Sequence, residues 1–146
     1  NVMTSALFGR ATPITTTEAR AVAQEFCEMT GIGEKRHAYP KSLTVADQKR
    51  IEIARALAVK PQMLLLDEVM SGLTPAETNE AIKLVRGLRD LGITILLIEH
   101  IMKVVMDISD RVIVLHHGEK IAEGSTVEVA ENPQVIEAYL GETVEE

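Results

Sequence analysis

The chain has 146 residues, a length that suits one domain with a sizeable buried core. Its formal net charge of −7 argues against a nucleic-acid or anionic-membrane partner. It contains no apolar run of about 18 residues or more, which predicts a soluble chain without a membrane span. Its one cysteine, Cys27, excludes a disulfide framework and is most simply a small buried hydrophobe in a reducing compartment.

The first 60 residues are predicted to be largely helical. After a mixed stretch at residues 1–17, one of the threonines at 15–17 can cap a helix that Gly31 and Gly33 end. A polar link follows, in which His37 is most simply a surface residue.

The second predicted helix lies in residues 43–60, LTVADQKRIEIARALAVK, and Pro61 stops it. Its apolar residues cover much of its circumference, which indicates burial. Asp47 and Gln48 stand in its opening turn, where free backbone N–H groups favour an anion. The alternative is an ordinary buried helix with a polar first turn.

The next stretch, residues 63–74, reads MLLLDEVMSGLT. Its apolar run ends at two adjacent carboxylates, Asp67 and Glu68, and predicts a strand of a parallel sheet buried on both faces. Open α/β sheets place their chemistry at such strand ends. There Asp67 can hold a hydrated cation while Glu68 orients a water, as nucleoside triphosphate hydrolysis requires. The alternative is a strand that ends in a solvated acidic turn.

The rest of the chain alternates helices and strands. The predicted elements are, in order, a helix capped by Thr74, a strand at 93–98, a helix at 101–108, a strand at 111–115, an antiparallel return at 119–122, and short helices capped by Thr126 and begun by Pro133. The acidic tail, residues 142–146, is expected to fray. The alternation from 63 to 115 predicts one parallel α/β sheet.

A histidine follows the second predicted strand as the two acids follow the first. Because neighbouring parallel strands end at the same edge, we expect His100 beside Asp67 and Glu68. Alone, such a histidine is more often a helix cap or a surface residue. With two acids and an anion-favouring helix start, it indicates phosphoryl chemistry.

The order of LTVADQKRIEIARAL, MLLLDE, SGLT and IEH resembles the ATP-binding subunit of an ABC transporter. The stretches EVMSGLTPAE, EHIMKVVMDISDRVIVLHHGEKIAEG and NPQVIEAYLG resemble its branched-chain amino acid uptake branch, although subunits that serve urea or other amides look similar. The resemblance implies an α/β fold of the P-loop NTPase type, a parallel sheet flanked by helices that ends in a short hairpin and helices. Residues 1–60 would form a helical subdomain with the signature helix, and 61–146 the C-terminal part of a RecA-like core.

The resemblance also implies the site. Glu68 would polarise the attacking water, Asp67 would hold Mg²⁺ through water, and His100 would contact the γ-phosphate of ATP. The signature-loop residues that would bind ATP held by a second subunit are Thr44, Val45, Ala46, Asp47 and Gln48. The D-loop residues that would make contacts across the dimer are Ser71, Gly72 and Leu73.

ATP and Mg²⁺ are the implied cofactors. The implied partners are a second ATP-binding subunit, identical or different, the transmembrane permease subunits and, indirectly, a periplasmic or extracellular substrate-binding protein. The segment before Pro61 would dock onto the permeases, on the cytoplasmic face of the inner membrane. No nucleic-acid partner is implied.

The chain departs from the family pattern in two ways that matter. It contains no G-x-x-x-x-G-K-S/T loop, so we expect roughly a hundred residues upstream of Asn1 and an inactive chain without them. Thr44 and Ala46 stand where the signature has Ser and Gly, and Ala46 adds a β-carbon where backbone should approach phosphate. Two rivals remain: a non-transport ABC ATPase acting on ribosomes or DNA, which the charge disfavours, and a non-catalytic partner-binding half-domain.

Overall fold

The computed structural model describes residues 1–140, so the predicted fraying of 142–146 lies outside it. The chain divides into two compact units, one of Asn1–Ile98 and one that begins at Glu99. The division into 1–60 and 61–146 stays a prediction. Within the described residues, no helix is long and apolar enough to cross a membrane.

Three helices form the start of the first unit: α1 (Val2–Phe8), α2 (Thr16–Met29) and α3 (Val45–Leu57). They pack around an apolar core of Val2, Ala6, Ala19, Cys27, Ile32, Ala54 and Ala58. Short 3₁₀ turns at Gly33–Lys35 and Pro40–Ser42 join α2 to α3. Helix α1 was not predicted, although Val2, Met3, Ala6 and Leu7 stand at a helical spacing and pack into this core.

The two predicted helix starts are confirmed. Thr15 caps α2 and exchanges hydrogen bonds with Glu18, and Thr44 caps α3 and exchanges them with Asp47. The predicted burial of the apolar faces of α3 is confirmed at Ile53, Ala54, Leu57 and Ala58, whereas the charged Glu52 is exposed.

The first unit also contains a parallel strand pair. Strand β1 (Met63–Asp67) pairs with β2 (Thr94–Ile98), and helix α4 (Pro75–Asp90) connects them, which confirms the predicted parallel arrangement. Leu64 and Leu66 of β1 are buried. Thr74 caps α4 together with Glu77, and Pro75 is its first residue.

The prediction that these strands are buried on both faces is wrong. Met63 and Leu65 are 52% and 67% exposed, and Leu96 and Ile98 on β2 are 48% and 58% exposed. Successive strand residues point to opposite faces, and only one face of this pair is buried.

The second unit contains α5 (Met102–Ile108), β3 (Val112–His116), β4 (Glu119–Gly124), α6 (Thr126–Ala130) and α7 (Pro133–Leu140). Strands β3 and β4 form the predicted antiparallel hairpin, with Val114, Val129 and Val135 as its core. The prediction that one parallel sheet includes the third strand is wrong for the described residues, because β1 and β2 form one two-stranded sheet while β3 pairs with β4 in another. Ser125, not Thr126, caps α6.

Candidate functional site

The segment after β1, residues 67–73, is named the acid turn. Its first acid lies opposite Ile98 in the β1–β2 register, and the backbone N–H of Glu68 donates to the Ile98 carbonyl at 2.9 Å. Asp67 and Glu68 are exposed, whereas Val69 and Met70 are buried. The acid turn therefore presents two carboxylates from a backbone that the core anchors.

Backbone geometry in the acid turn is unusual. Glu68 has φ +46° and Gly72 has φ +75°, both in the left-handed region. Glycine adopts this region freely, whereas a residue with a β-carbon is disfavoured there. The Glu68 carbonyl accepts the Ser71 N–H at 3.1 Å, and the Met70 carbonyl accepts the Leu73 N–H at 3.3 Å. These bonds close the turn.

The start of α3 is fixed by Asp47. Its Oδ2 accepts the Thr44 N–H at 3.0 Å and lies 2.7 Å from Lys35 Nζ, while its own N–H donates to Thr44 Oγ1 at 3.2 Å. Burial alone would raise the pKa of the Asp47 carboxyl, but the hydrogen bonds from Lys35 and Thr44 outweigh it and hold that pKa below its ordinary value. The carboxylate therefore stabilises the helix start and is not presented to solvent.

The first two residues of α3 carry its available donors. Within residues 1–140, the backbone N–H groups of Val45 and Ala46 make no hydrogen bond, as is usual for the first turn of a helix. Val45 is 52% exposed. The Gln48 side chain donates to the Leu43 carbonyl at 3.3 Å. An anion at this helix start would therefore accept hydrogen bonds from the backbone N–H groups of Val45 and Ala46.

The structure brings the start of α3 and the acid turn together. A β-carbon built on Gly72 would lie 3.8 Å from Val45 Cγ1. Lys49 Nζ donates to the Glu68 carbonyl at 3.1 Å. A cleft of about 300 Å³ lies between these segments, with Ala46, Lys49 and Leu73 in its lining. The two stretches singled out in the sequence are thus neighbours.

His100 belongs to the second unit, two residues beyond the end of β2, and its side chain is exposed. The parallel pairing of β1 with β2 sets Asp67 beside Ile98 at the end of both strands. The position of His100 relative to the acids stays a prediction.

The candidate ligand for a magnesium ion at this site is Asp67. In the described part of the chain, no three His, Cys, Asp or Glu side chains converge on a common point. Asp67 is an exposed carboxylate at a strand end. Mg²⁺ commonly keeps several waters and takes one or two carboxylates together with substrate phosphates, so this donor set fits a hydrated ion.

Two lysines of this region, Lys35 and Lys49, were not among the predicted site residues. Both contacts join residues far apart in the chain, 12 positions for Lys35 with Asp47 and 19 for Lys49 with Glu68. The one available signal was that a buried acid at a helix start needs a cation, and the polar link before α3 is rich in cations.

Two family models match the chain. The model described as ABC transporter matches residues 2–71. The model described as branched-chain amino acid ATP-binding cassette transporter matches residues 119–145. The first match includes the start of α3 and most of the acid turn, and the second includes β4, α6 and α7.

Curated relatives agree with these matches. The chain is 45% identical over 126 residues to the high-affinity branched-chain amino acid transport ATP-binding protein LivG of Salmonella typhimurium, covering 86% of this chain and 49% of that protein. It is 40% identical to the corresponding protein BraF of Pseudomonas aeruginosa over the same shares. The methionine import ATP-binding protein MetN of Corynebacterium glutamicum is 45% identical over 116 residues, 79% of this chain and 32% of that protein. The chain thus spans about half the length of LivG and BraF.

Solved structures agree on the fold. The ADP conformation of MJ1267, an ATP-binding cassette of an ABC transporter, has a TM-score of 0.79 at 29% identity, covering 92% of this chain and 55% of that one. A nucleotide-free ATP-binding cassette from an ABC transporter has a TM-score of 0.78 at 25% identity, covering 99% and 63%. These similarities confirm the predicted α/β fold of the P-loop NTPase type.

Proposed function

Because this chain belongs to the family of ABC transporter ATP-binding proteins, we propose that it serves in the subunit that binds and hydrolyses ATP for an importer of branched-chain amino acids or related amides. The observation that carries the proposal is the acid turn, in which Asp67 and Glu68 are exposed at the end of β1, a strand buried on one face. The match of residues 119–145 to the branched-chain model supports the transported class.

The chemistry follows from the two carboxylates. Glu68 orients and polarises the water that attacks the γ-phosphate, and Asp67 holds Mg²⁺ through water. Bound Mg²⁺ neutralises charge on the phosphates. His100 donates a hydrogen bond to a γ-phosphate oxygen. Positioning and charge neutralisation account for most of the catalysis of phosphoryl transfer, so each of these groups contributes to the rate by its position relative to the γ-phosphate.

The start of α3 serves the nucleotide held by a second subunit. The N–H groups of Val45 and Ala46 donate to its γ-phosphate, where the helix dipole favours an anion. Thr44 and Gln48 border this contact, and Asp47 stabilises the helix start from within. The residues that make contacts across the dimer are Ser71, Gly72 and Leu73.

The partners follow from the transport role. A second ATP-binding subunit completes two nucleotide sites, and hydrolysis at these sites resets transmembrane permease subunits that receive substrate from a binding protein. The helical segment before Pro61 docks on the permeases. The protein then works at the cytoplasmic face of the membrane.

The test is transport in the source organism. A chromosomal Glu68→Gln substitution is expected to abolish uptake of radiolabelled leucine, isoleucine and valine, while Glu131→Gln, at an exposed acid after α6, leaves it unchanged. Membranes from the Glu68→Gln strain should retain ATP without hydrolysing it. Normal uptake in that strain would refute Glu68 as the group that activates water and would favour a non-catalytic partner-binding module.

A further inference from the structure

We propose that Lys49 is a positioning residue for ATP hydrolysis, which holds the backbone of Glu68 in the conformation that directs its carboxylate. The inference rests on the proposed function, because it assigns Lys49 a role through the residue that activates water. Lys49 touches neither the nucleotide nor the water in this scheme.

The contact is direct. Lys49 Nζ donates to the Glu68 carbonyl at 3.1 Å, and the same carbonyl accepts the Ser71 N–H at 3.1 Å. On the other side of the residue, the Glu68 N–H donates to the Ile98 carbonyl at 2.9 Å. Glu68 is therefore held through its N–H by β2 and through its carbonyl by α3 and the acid turn.

The Glu68 backbone needs such support because its φ of +46° is unfavourable for a residue with a β-carbon. A change of this angle would swing the Glu68 side chain, since the Cα–Cβ direction follows the backbone. Residues in such conformations persist when their surroundings hold them in place. The ammonium group of Lys49 supplies a charge-assisted bond to the carbonyl, which is stronger than one between neutral groups.

The neighbouring cations have other partners. Arg50 Nη1 donates to the Gly31 carbonyl at 3.4 Å, and Lys83 Nζ pairs with Glu80 at 3.1 Å. Lys49 instead connects α3 to the acid turn, one helical turn from Val45. If α3 shifts when a phosphate binds, the Lys49 side chain would therefore transmit that shift to the backbone of Glu68.

Steady-state ATP hydrolysis by the native protein tests the role. We expect Lys49→Met to lower kcat about tenfold with little change in KM, because a small misplacement of a catalytic group lowers the rate more than binding. Lys49→Arg, which keeps a cationic donor, should recover much of the loss. Lys83→Met removes a lysine that lines the same cleft and should behave as wild type.

Amide hydrogen exchange without nucleotide tests the tether independently of turnover. The Ser71 amide, which donates to the Glu68 carbonyl, should exchange several-fold faster in Lys49→Met than in wild type or Lys83→Met. Unchanged exchange, unchanged kcat or a loss confined to KM would each overturn the proposal. If wild type hydrolyses no ATP, the proposed function fails and the positioning role with it; an active wild type with an equally active Lys49→Met refutes the positioning role alone.

Discussion

Lys35 and Asp47 form an ion pair at the start of α3, with 2.7 Å between Nζ and Oδ2. The Asp47 side chain is 7% exposed and the Lys35 side chain 51% exposed. The same Asp47 oxygen accepts the Thr44 N–H. A carboxylate that the sequence suggests as an ATP contact is thus engaged with its own chain, and its effect on nucleotide binding would act through the helix it stabilises.

Asp47 should make stability depend on pH. Its pKa is lower in the folded chain than in the unfolded chain, so its contribution is present above the unfolded value of about 4 and is lost as the pH falls through the folded value. Asp47→Asn should remove that part of the dependence and lower the free energy of unfolding at pH 7. Urea unfolding between pH 2 and pH 7 measures both. Glu52→Gln, at an exposed position of α3, should keep the wild-type profile; a wild-type profile for Asp47→Asn would contradict the assignment.

Gly72 should resist substitution for a backbone reason. At φ +75° an added β-carbon is strained, although its nearest neighbour, Val45 Cγ1, would be at ordinary contact distance. Gly72→Ala is expected to lower the free energy of unfolding by about 1 kcal/mol.

A matched substitution should have the opposite sign. Gly87 lies inside α4, and a β-carbon there meets nothing within 4 Å. Gly87→Ala should therefore stabilise the chain by about 0.5–1 kcal/mol. Chemical denaturation of both variants tests the pair, and a stabilising Gly72→Ala would show that the acid turn can relax to another conformation.

His100 is expected to contribute to the rate of ATP hydrolysis and little to nucleotide binding. In the native protein, His100→Ala should reduce ATP hydrolysis sharply while nucleotide binding, followed by equilibrium titration, changes little. His37, which is exposed in the first unit, provides the matched control, and His37→Ala should leave both quantities unchanged. A large loss of binding in His100→Ala would mean that the imidazole mainly holds the nucleotide.

Ala46 tests the predicted phosphate contact at the second position of α3. Removing its β-carbon lets a phosphate approach the backbone more closely, so Ala46→Gly should leave ATP hydrolysis equal or higher. A clear decrease would show that helix rigidity at this position matters more than access. Circular dichroism of the variant separates the two effects, because only a frayed α3 would lose helical signal.

Features set by nearby residues could be predicted from the sequence. The caps at Thr15 and Thr74 depend on partners three residues away, so the sequence alone reveals them. The parallel pairing of β1 with β2 followed from their apolar runs and the intervening helix. The acid turn was found for the same reason, since its residues are consecutive.

Features set by distant residues could not be predicted. The contact of Lys49 with Glu68 spans 19 positions and leaves no periodic trace. Met63 and Leu65 belong to an unbroken apolar run, so the sequence suggests that both are core residues. Their exposure depends on which other parts of the chain pack on that face of the sheet, and the run itself does not reveal this. The hairpin of β3 with β4 was predicted, but alternation of helices and strands does not reveal whether β3 also pairs in the sheet of β1 and β2.

Among the helices whose starts are described above, α2, α3, α4 and α6 begin with the same reciprocal arrangement of a hydroxyl cap and an acid three residues later. The pairs are Thr15 with Glu18, Thr44 with Asp47, Thr74 with Glu77 and Ser125 with Glu128. Each pair needs only a single turn of chain to form, and such local events take about a microsecond or less. The starting residues of these helices can therefore be selected while the chain is still unfolded elsewhere, which shortens the conformational search that brings β1 and β2 together.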